Sequence, residues 1–205
     1  MQRTDDVTIV FADLEDAKAA LDAARGSPRD VRRCFSRYAE LSQRLTSVMR
    51  KQFSSTNGRS WKASSFPHWT KDTALLKYAR TQDQHATQVR ISVEYLQYFS
   101  FSRFFGVELK AGDELSFSCT SLLEDQLLET NPPGVVLSDI DPTTGKSTTK
   151  IEPHRVDWRY LLMPQSDEER AIFAAASSQD VHQVVASAHS TLTRYVEFFR
   201  AESDA

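Results

Sequence analysis

The residues with the clearest chemical potential are Arg80 and His85, in the run Arg80-Thr-Gln-Asp-Gln-His85. An arginine grips a phosphate through its planar fork of N–H donors. A histidine titrates near neutral pH and can take or give the proton of an RNA 2′-hydroxyl. Such a pair needs neither a metal ion nor a cofactor. Asp83, between the two, is placed to orient the imidazole. Five positions along a helix do not share one face, so the two heads converge only where the helix loosens after Asp83. The plainer alternative is that Arg80 compensates the negative end of a helix and His85 is a polar loop residue.

Two other constellations carry weaker chemistry. Gly145-Lys146-Ser147 matches the end of a phosphate-binding loop, but that motif requires a glycine where this chain has Ile140, and a helix afterwards. A β-rich run follows instead, so Asp141–Lys146 reads as a hairpin connection. His182 and His189 lie seven apart on one expected helix, roughly 10 Å along its axis. One ion cannot bridge that span without further ligands, and His68 and His154 have no partner at ligand spacing. No metal and no cofactor is expected.

Charge singles out the same region as the Arg80/His85 pair. Between Arg25 and Arg80 there are 13 Lys/Arg and 3 Asp/Glu, a balance of +10, while the rest of the chain carries 12 Lys/Arg and 25 Asp/Glu, a balance of −13. That asymmetry suits an anionic partner, a complementary self-contact, or simply solvated helix faces. Arg29, Arg32, Arg33, Arg37 and Lys77 are the candidate nucleic-acid contacts.

The elements that must position these residues follow from periodicity. Val7, Val10, Phe11, Leu14, Ala17 and Leu21 recur at helical steps, predicting a helix over 5–24 that stops at Gly26. Ser27-Pro28 restarts the chain as cap and first helical residue. A helix over 28–53 follows, with the stripe Val31, Cys34, Phe35, Tyr38, Leu41, Leu45, Val48 and Met49. Residues 54–68 are rich in Ser and Gly and read as a loop, pinned by Trp61 and Phe66. A third helix is expected over 69–84, with Leu75, Leu76 and Ala79 inward.

The period then changes to two. Val89–Tyr95, Leu115–Cys119, Val135–Ile140, Ser147–Ile151 and Trp158–Leu162 read as strands. Ser166 with Glu169 can open a short helix as a capping box. Asp180 with Gln183 opens a longer one over 180–202, striped by Val181, Val184, Val185, Ala188, Leu192, Tyr195, Val196 and Phe199. The expected fold class is α+β in one domain over 1–205. Three helices and a closing C-terminal helix form a mainly helical bundle (5–86 and 166–202), and a strand-rich insertion occupies about 89–163.

The segment Phe66–His85 resembles the third helix of HEPN domains (higher eukaryotes and prokaryotes nucleotide-binding). That superfamily comprises four-helix bundles, many with Arg, four to six residues, then His. The resemblance spans 5–86 and 180–202 and leaves 89–163 unmatched. It implies a homodimer whose composite site cleaves RNA without metal, in bacterial defence or toxin biology, with Arg80 on phosphate and His85 as acid or base. The family's nucleases usually place Asn or Asp directly after the arginine, where this chain has Thr81. Many HEPN-like proteins are binding or dimerisation modules, so a non-catalytic module with a protein or nucleic-acid partner is the alternative. A third is a small-molecule site lined by Tyr95, Tyr98, Phe99, Phe101, Phe104 and Phe105, residues that equally suit a core.

No stretch approaches the roughly 18 to 20 apolar residues that span a bilayer. The acidic residues near the N-terminus do not suit a secretory signal. Cys34 and Cys119 stand alone, with no Cys-x-x-Cys pair. A cytoplasmic protein with no membrane partner is the expectation.

Overall fold

In a computed structural model, the structure describes residues 6–58, 60, 70–84, 89–100, 103–104, 107–108, 114–122, 135–139, 147–151 and 155–203. The element order is α1 (Asp6–Ala23), α2 (Pro28–Asn57), α3 (Lys71–Gln84), β1 (Arg90–Ser100), β2 (Arg103–Phe104), β3 (Val107–Glu108), β4 (Glu114–Leu122), β5 (Val135–Asp139), β6 (Ser147–Ile151), β7 (Arg155–Met163), α4 (Asp167–Ala175) and α5 (Val181–Ser203). The fold class is α+β, mainly helical, with the strands inserted between α3 and α4. The chain forms two compact units. One comprises Met1–Ile91 with Tyr160–Ala205, and the other is Ser92–Arg159.

Apolar stripes organise the helical unit. The stripe expected for α5 is buried throughout, from Val181 to Phe199. Helix α1 buries Val7, Val10, Leu14 and Leu21, α2 buries Val31, Phe35, Tyr38, Leu41, Leu45 and Met49, and α3 buries Leu75, Leu76 and Ala79. Helix α5 packs on α1, α2 and α3, while α2 also packs on α1 and on α3. Helices α1 and α5 run antiparallel: Asp22 meets His182 near one end, Phe11 stacks on His189, and Arg200 reaches Thr8 at the other.

The helix starts agree with the expected caps. Ser27 Oγ accepts from Asp30 N–H at 3.4 Å and returns its own hydroxyl to the Asp30 carboxylate at 2.8 Å. Ser166 Oγ accepts from Glu169 N–H at 3.1 Å, and Asp180 Oδ1 from Gln183 N–H at 3.0 Å. One boundary differs from expectation. Helix α2 runs on to Asn57 instead of stopping at 53, because Phe53 is itself buried and Asn57 donates back to its carbonyl at 3.2 Å. Gly58, in the left-handed region at φ 61, then closes the helix through its N–H to Ser54 O. Trp61, Phe66 and most of the expected loop lie outside the described residues.

In the strand-rich part, β1 is the middle of a three-stranded sheet of order β4-β1-β7. It pairs antiparallel with β4 from Ser92↔Leu122 to Ser100↔Glu114. From Val93 onward its period of two is plain: Val93, Gln97 and Phe99 are buried, while Glu94, Leu96 and Tyr98 are half-buried; at its start Ile91, Ser92 and Val93 are buried in succession. Strands β5 and β6 pair antiparallel, with Asp139↔Ser147 at the connected end. A strand therefore follows Gly145-Lys146, as the hairpin reading requires; the connection itself, 140–146, lies outside the described residues. No helix among the described residues is long and apolar enough to cross a membrane.

Of the four longer helices α3 has the narrowest described stripe, and a buried carboxylate supplements it. Asp72 is 3% exposed, accepts Ser177 N–H at 2.8 Å, and takes the hydroxyl of Ser187 on α5. Asp72→Ala leaves both donors without that acceptor. Hydrogen bonds to a charged group contribute about 1.5–3 kcal/mol each, so urea unfolding is expected to show a loss of about 3 kcal/mol. Asp72→Asn, which keeps an oxygen acceptor, is expected to lose less.

Candidate functional site

Arg80 lies in the C-terminal half of α3, one turn after Lys77. Its neighbours on the inner face, Leu76 and Ala79, are buried; Arg80 itself is half-buried and Lys77 exposed. Among the described residues no carboxylate pairs with the Arg80 guanidinium. Asp83 belongs to the last turn of α3, with its side chain outside the described residues, as is His85 entirely. Of the candidate Arg80/His85 pair, the structure therefore describes Arg80 alone. Thr81 spends its hydroxyl within the helix, donating to the Lys77 carbonyl at 2.9 Å.

The rotation of α3, which sets the direction of Arg80, is fixed by polar ties as well as by Leu75 and Leu76. Besides Asp72, Tyr78 donates to the buried Glu169 carboxylate at 3.2 Å and sits edge-on to Phe173, both on α4. Burial, followed by the Glu169 charge, pushes the Tyr78 phenol up to about 12, so it stays a donor at any ordinary pH. The other Glu169 oxygen takes the Gln165 N–H. Glu169 thus caps α4 through the residue before Ser166, not through Ser166 as a reciprocal capping box would.

The basic residues of α2 form a surface. Arg29, Arg33, Arg37, Arg44 and Lys51 recur at helical steps opposite the buried stripe, all exposed, with Arg50 beside them. Glu40 interrupts the row and Asp30 borders it. Arg33 pairs with Asp30 and Arg37 with Glu40, each at 3.0 Å. These are open surface pairs worth about 0–1 kcal/mol, weak enough for an incoming anion to displace. Arg32 is half-buried at the edge of the row. Of the candidate nucleic-acid contacts, Arg29, Arg33 and Arg37 share one face, and Lys77 is carried separately on α3, which packs against α2. The row from Arg29 to Lys51 is about 33 Å long at 1.5 Å per residue. It contains no exposed aromatic side chain among the described residues, since Phe35, Tyr38 and Phe53 are all buried.

The two histidines of α5 sit in separate packed surroundings. His189 Nδ1 shares a hydrogen bond with the Tyr38 hydroxyl at 3.0 Å and stacks on Phe11. Burial holds its pKa below the usual value, assisted by Lys18. His182 packs edge-on to Tyr160 and lies 3.6 Å from Asp22. No group of three or more metal-ligating side chains converges among the described residues. Sequence reasoning placed both histidines on one helix but missed their surroundings, because Asp22, Tyr38 and Tyr160 come from distant segments. The one available signal was position: both border the apolar stripe.

The aromatic run divides. Phe99 is in the core, and Tyr98 lines a shallow groove of about 180 Å³ with Glu94, Leu96, Asp157, Trp158 and Arg159. The Arg155 guanidinium lies 3.7 Å above the Tyr98 ring. The side chains of Tyr95, Phe101, Phe104 and Phe105 are outside the described residues. A groove this small, with Arg159 facing Glu94 at 3.8 Å, falls well below the roughly 300–1,000 Å³ of ordinary ligand pockets.

Tyr78→Phe removes the tie between α3 and α4 while keeping the ring. A loss of about 1 kcal/mol in urea unfolding is expected, since Glu169 retains the Gln165 N–H. No protein-family model, curated protein or solved structure matches this chain.

Proposed function

We propose that the helical unit is a HEPN-like module that binds RNA along the outer face of α2 and cleaves it at Arg80 and His85 without a metal ion. The observation that carries this reading is the exposed row Arg29, Arg33, Arg37, Arg44 and Lys51, offset by two carboxylates, Asp30 and Glu40. Phosphate contacts of this kind supply affinity without sequence choice. The half-buried Arg80 guanidinium, unpaired among the described residues, adds support for the chemical step. The order of three helices, insertion and closing helix agrees with the family resemblance. The reading carries with it a homodimer, a cytoplasmic location and a role in bacterial defence or as a toxin.

A second reading keeps the scaffold and drops the chemistry, leaving a module that binds RNA or a protein partner. Thr81 favours it: where the family's nucleases place a polar partner for catalysis, this hydroxyl is engaged by the Lys77 carbonyl.

Two measurements separate these readings. Binding to single-stranded RNA is expected to weaken steeply with salt, and each removed phosphate contact should lower the log–log slope by about 0.7. Arg33→Gln combined with Arg37→Gln should therefore flatten it by roughly 1.4. An unchanged slope removes the α2 face from the proposal. Cleavage by the purified protein in EDTA is expected to be lost in Arg80→Ala and His85→Ala with binding largely kept. Wild-type binding with no cleavage selects the non-catalytic module, and equal cleavage by wild type and His85→Ala sinks the catalytic assignment.

A further inference from the structure

His182 stands in the first turn of α5, 9% exposed, and both of its ring nitrogens are buried without a hydrogen-bond partner. A neutral imidazole has one N–H donor and one acceptor, so both go unmet in either tautomer. The nearest carboxylate oxygen, Oδ1 of Asp22, is 3.6 Å from Nδ1. That is too long for a hydrogen bond, and the other oxygen of the same carboxylate is held by Lys18 at 2.7 Å.

The groups facing the ring come from each element around it. Asp22 belongs to α1, Arg25 to the turn after it, Asp180 to the cap of α5, and Tyr160 to β7. The two carboxylates favour an imidazolium, whereas burial and Arg25 oppose it. The same spot fastens the end of β7. Tyr160 donates its hydroxyl to the Arg25 carbonyl at 2.5 Å, and Leu162 N–H donates to Gln179 O at 2.9 Å. The Tyr160 ring meets the imidazole edge-on, 5.8 Å between centroids at 67°.

We infer that His182 is an acid-sensitive latch, whose protonation loosens the Tyr160–Arg25 and Leu162–Gln179 hydrogen bonds that hold the end of β7 on the helical unit. An imidazolium carries two donors and repels Arg25. To gain an acceptor its Nδ1 must close on Asp22 from 3.6 Å to the roughly 2.8 Å of a charged hydrogen bond. That movement disturbs the edge-on packing of the ring on Tyr160, whose hydroxyl bonds the backbone of the very turn that carries Arg25.

The direction with pH follows from the closed state. Burial holds the folded-state pKa of His182 below its usual value. As pH falls through about 6.5 an opened ring takes the proton first. The latch is therefore fully held above that pH and weakens below it, until the closed ring also protonates.

The test is amide hydrogen exchange by NMR on the full chain, from about pH 7.5 to about 5.5 and corrected for intrinsic rates. Protection at Leu162 is expected to fall by up to about tenfold per pH unit, the limit for one proton. Leu192, buried midway along α5, is expected to hold its protection. In His182→Leu the pH dependence at Leu162 should vanish, and His182→Gln serves the same purpose if the leucine variant does not fold. Three results overturn the latch: a flat Leu162 profile in wild type, the same slope in the variants, or a parallel fall at Leu192, which would mark global unfolding.

Discussion

Burial of one stripe on α5 is the constraint on which the helical unit depends. Val181, Val184, Val185, Leu192, Tyr195, Val196 and Phe199 are all but inaccessible, and α1, α2 and α3 each turn an apolar face inward and pack on α5. A fully buried side chain of this size contributes about 1.5–3 kcal/mol. An exposed ion pair such as Arg33–Asp30 contributes about 0–1 kcal/mol. The fold is therefore decided by apolar contact, and the charges on the outer faces are free to serve something else. That division of labour is why α2 can carry six exposed cations along its length with so few anions to offset them.

Polar groups carry the most structural weight where the stripe is narrow. Helix α3 has just Leu75, Leu76 and Ala79 to bury along with Thr73 and Asp72. Three apolar side chains leave its rotation loosely defined. Asp72 against Ser177 and Ser187 at one end, and Tyr78 against Glu169 further along, supply the missing definition. Arg80 inherits its direction from those ties, although it touches none of them. The position of the candidate phosphate contact is thus a consequence of hydrogen bonds made by Asp72 and Tyr78.

Much of this architecture was legible in the sequence, for a physical reason: local periodicity records which face is buried. Every residue named for the α5 stripe is buried, and the caps Ser27, Ser166 and Asp180 bond the amides their positions predicted. The end of α2 was misjudged because serine-rich composition was weighed above the buried Phe53 and the left-handed Gly58. Long-range partners were not legible. Nothing near Asp72 in sequence announces Ser187, and nothing near His182 announces Asp22 or Tyr160. The Arg80/His85 spacing was readable, but convergence of the two heads depends on His85, beyond the described end of α3.

The place of α5 in chain order has a consequence for synthesis. Helices α1 to α3 are complete by Gln84, yet the helix that covers all three begins only at Val181. At ribosomal rates of about 5–20 residues per second, the intervening segment takes on the order of 5–20 s to emerge. Throughout that interval the inward faces of α1, α2 and α3 have only one another to pack on. The basic face of α2 is thus on display before the apolar core behind it can close.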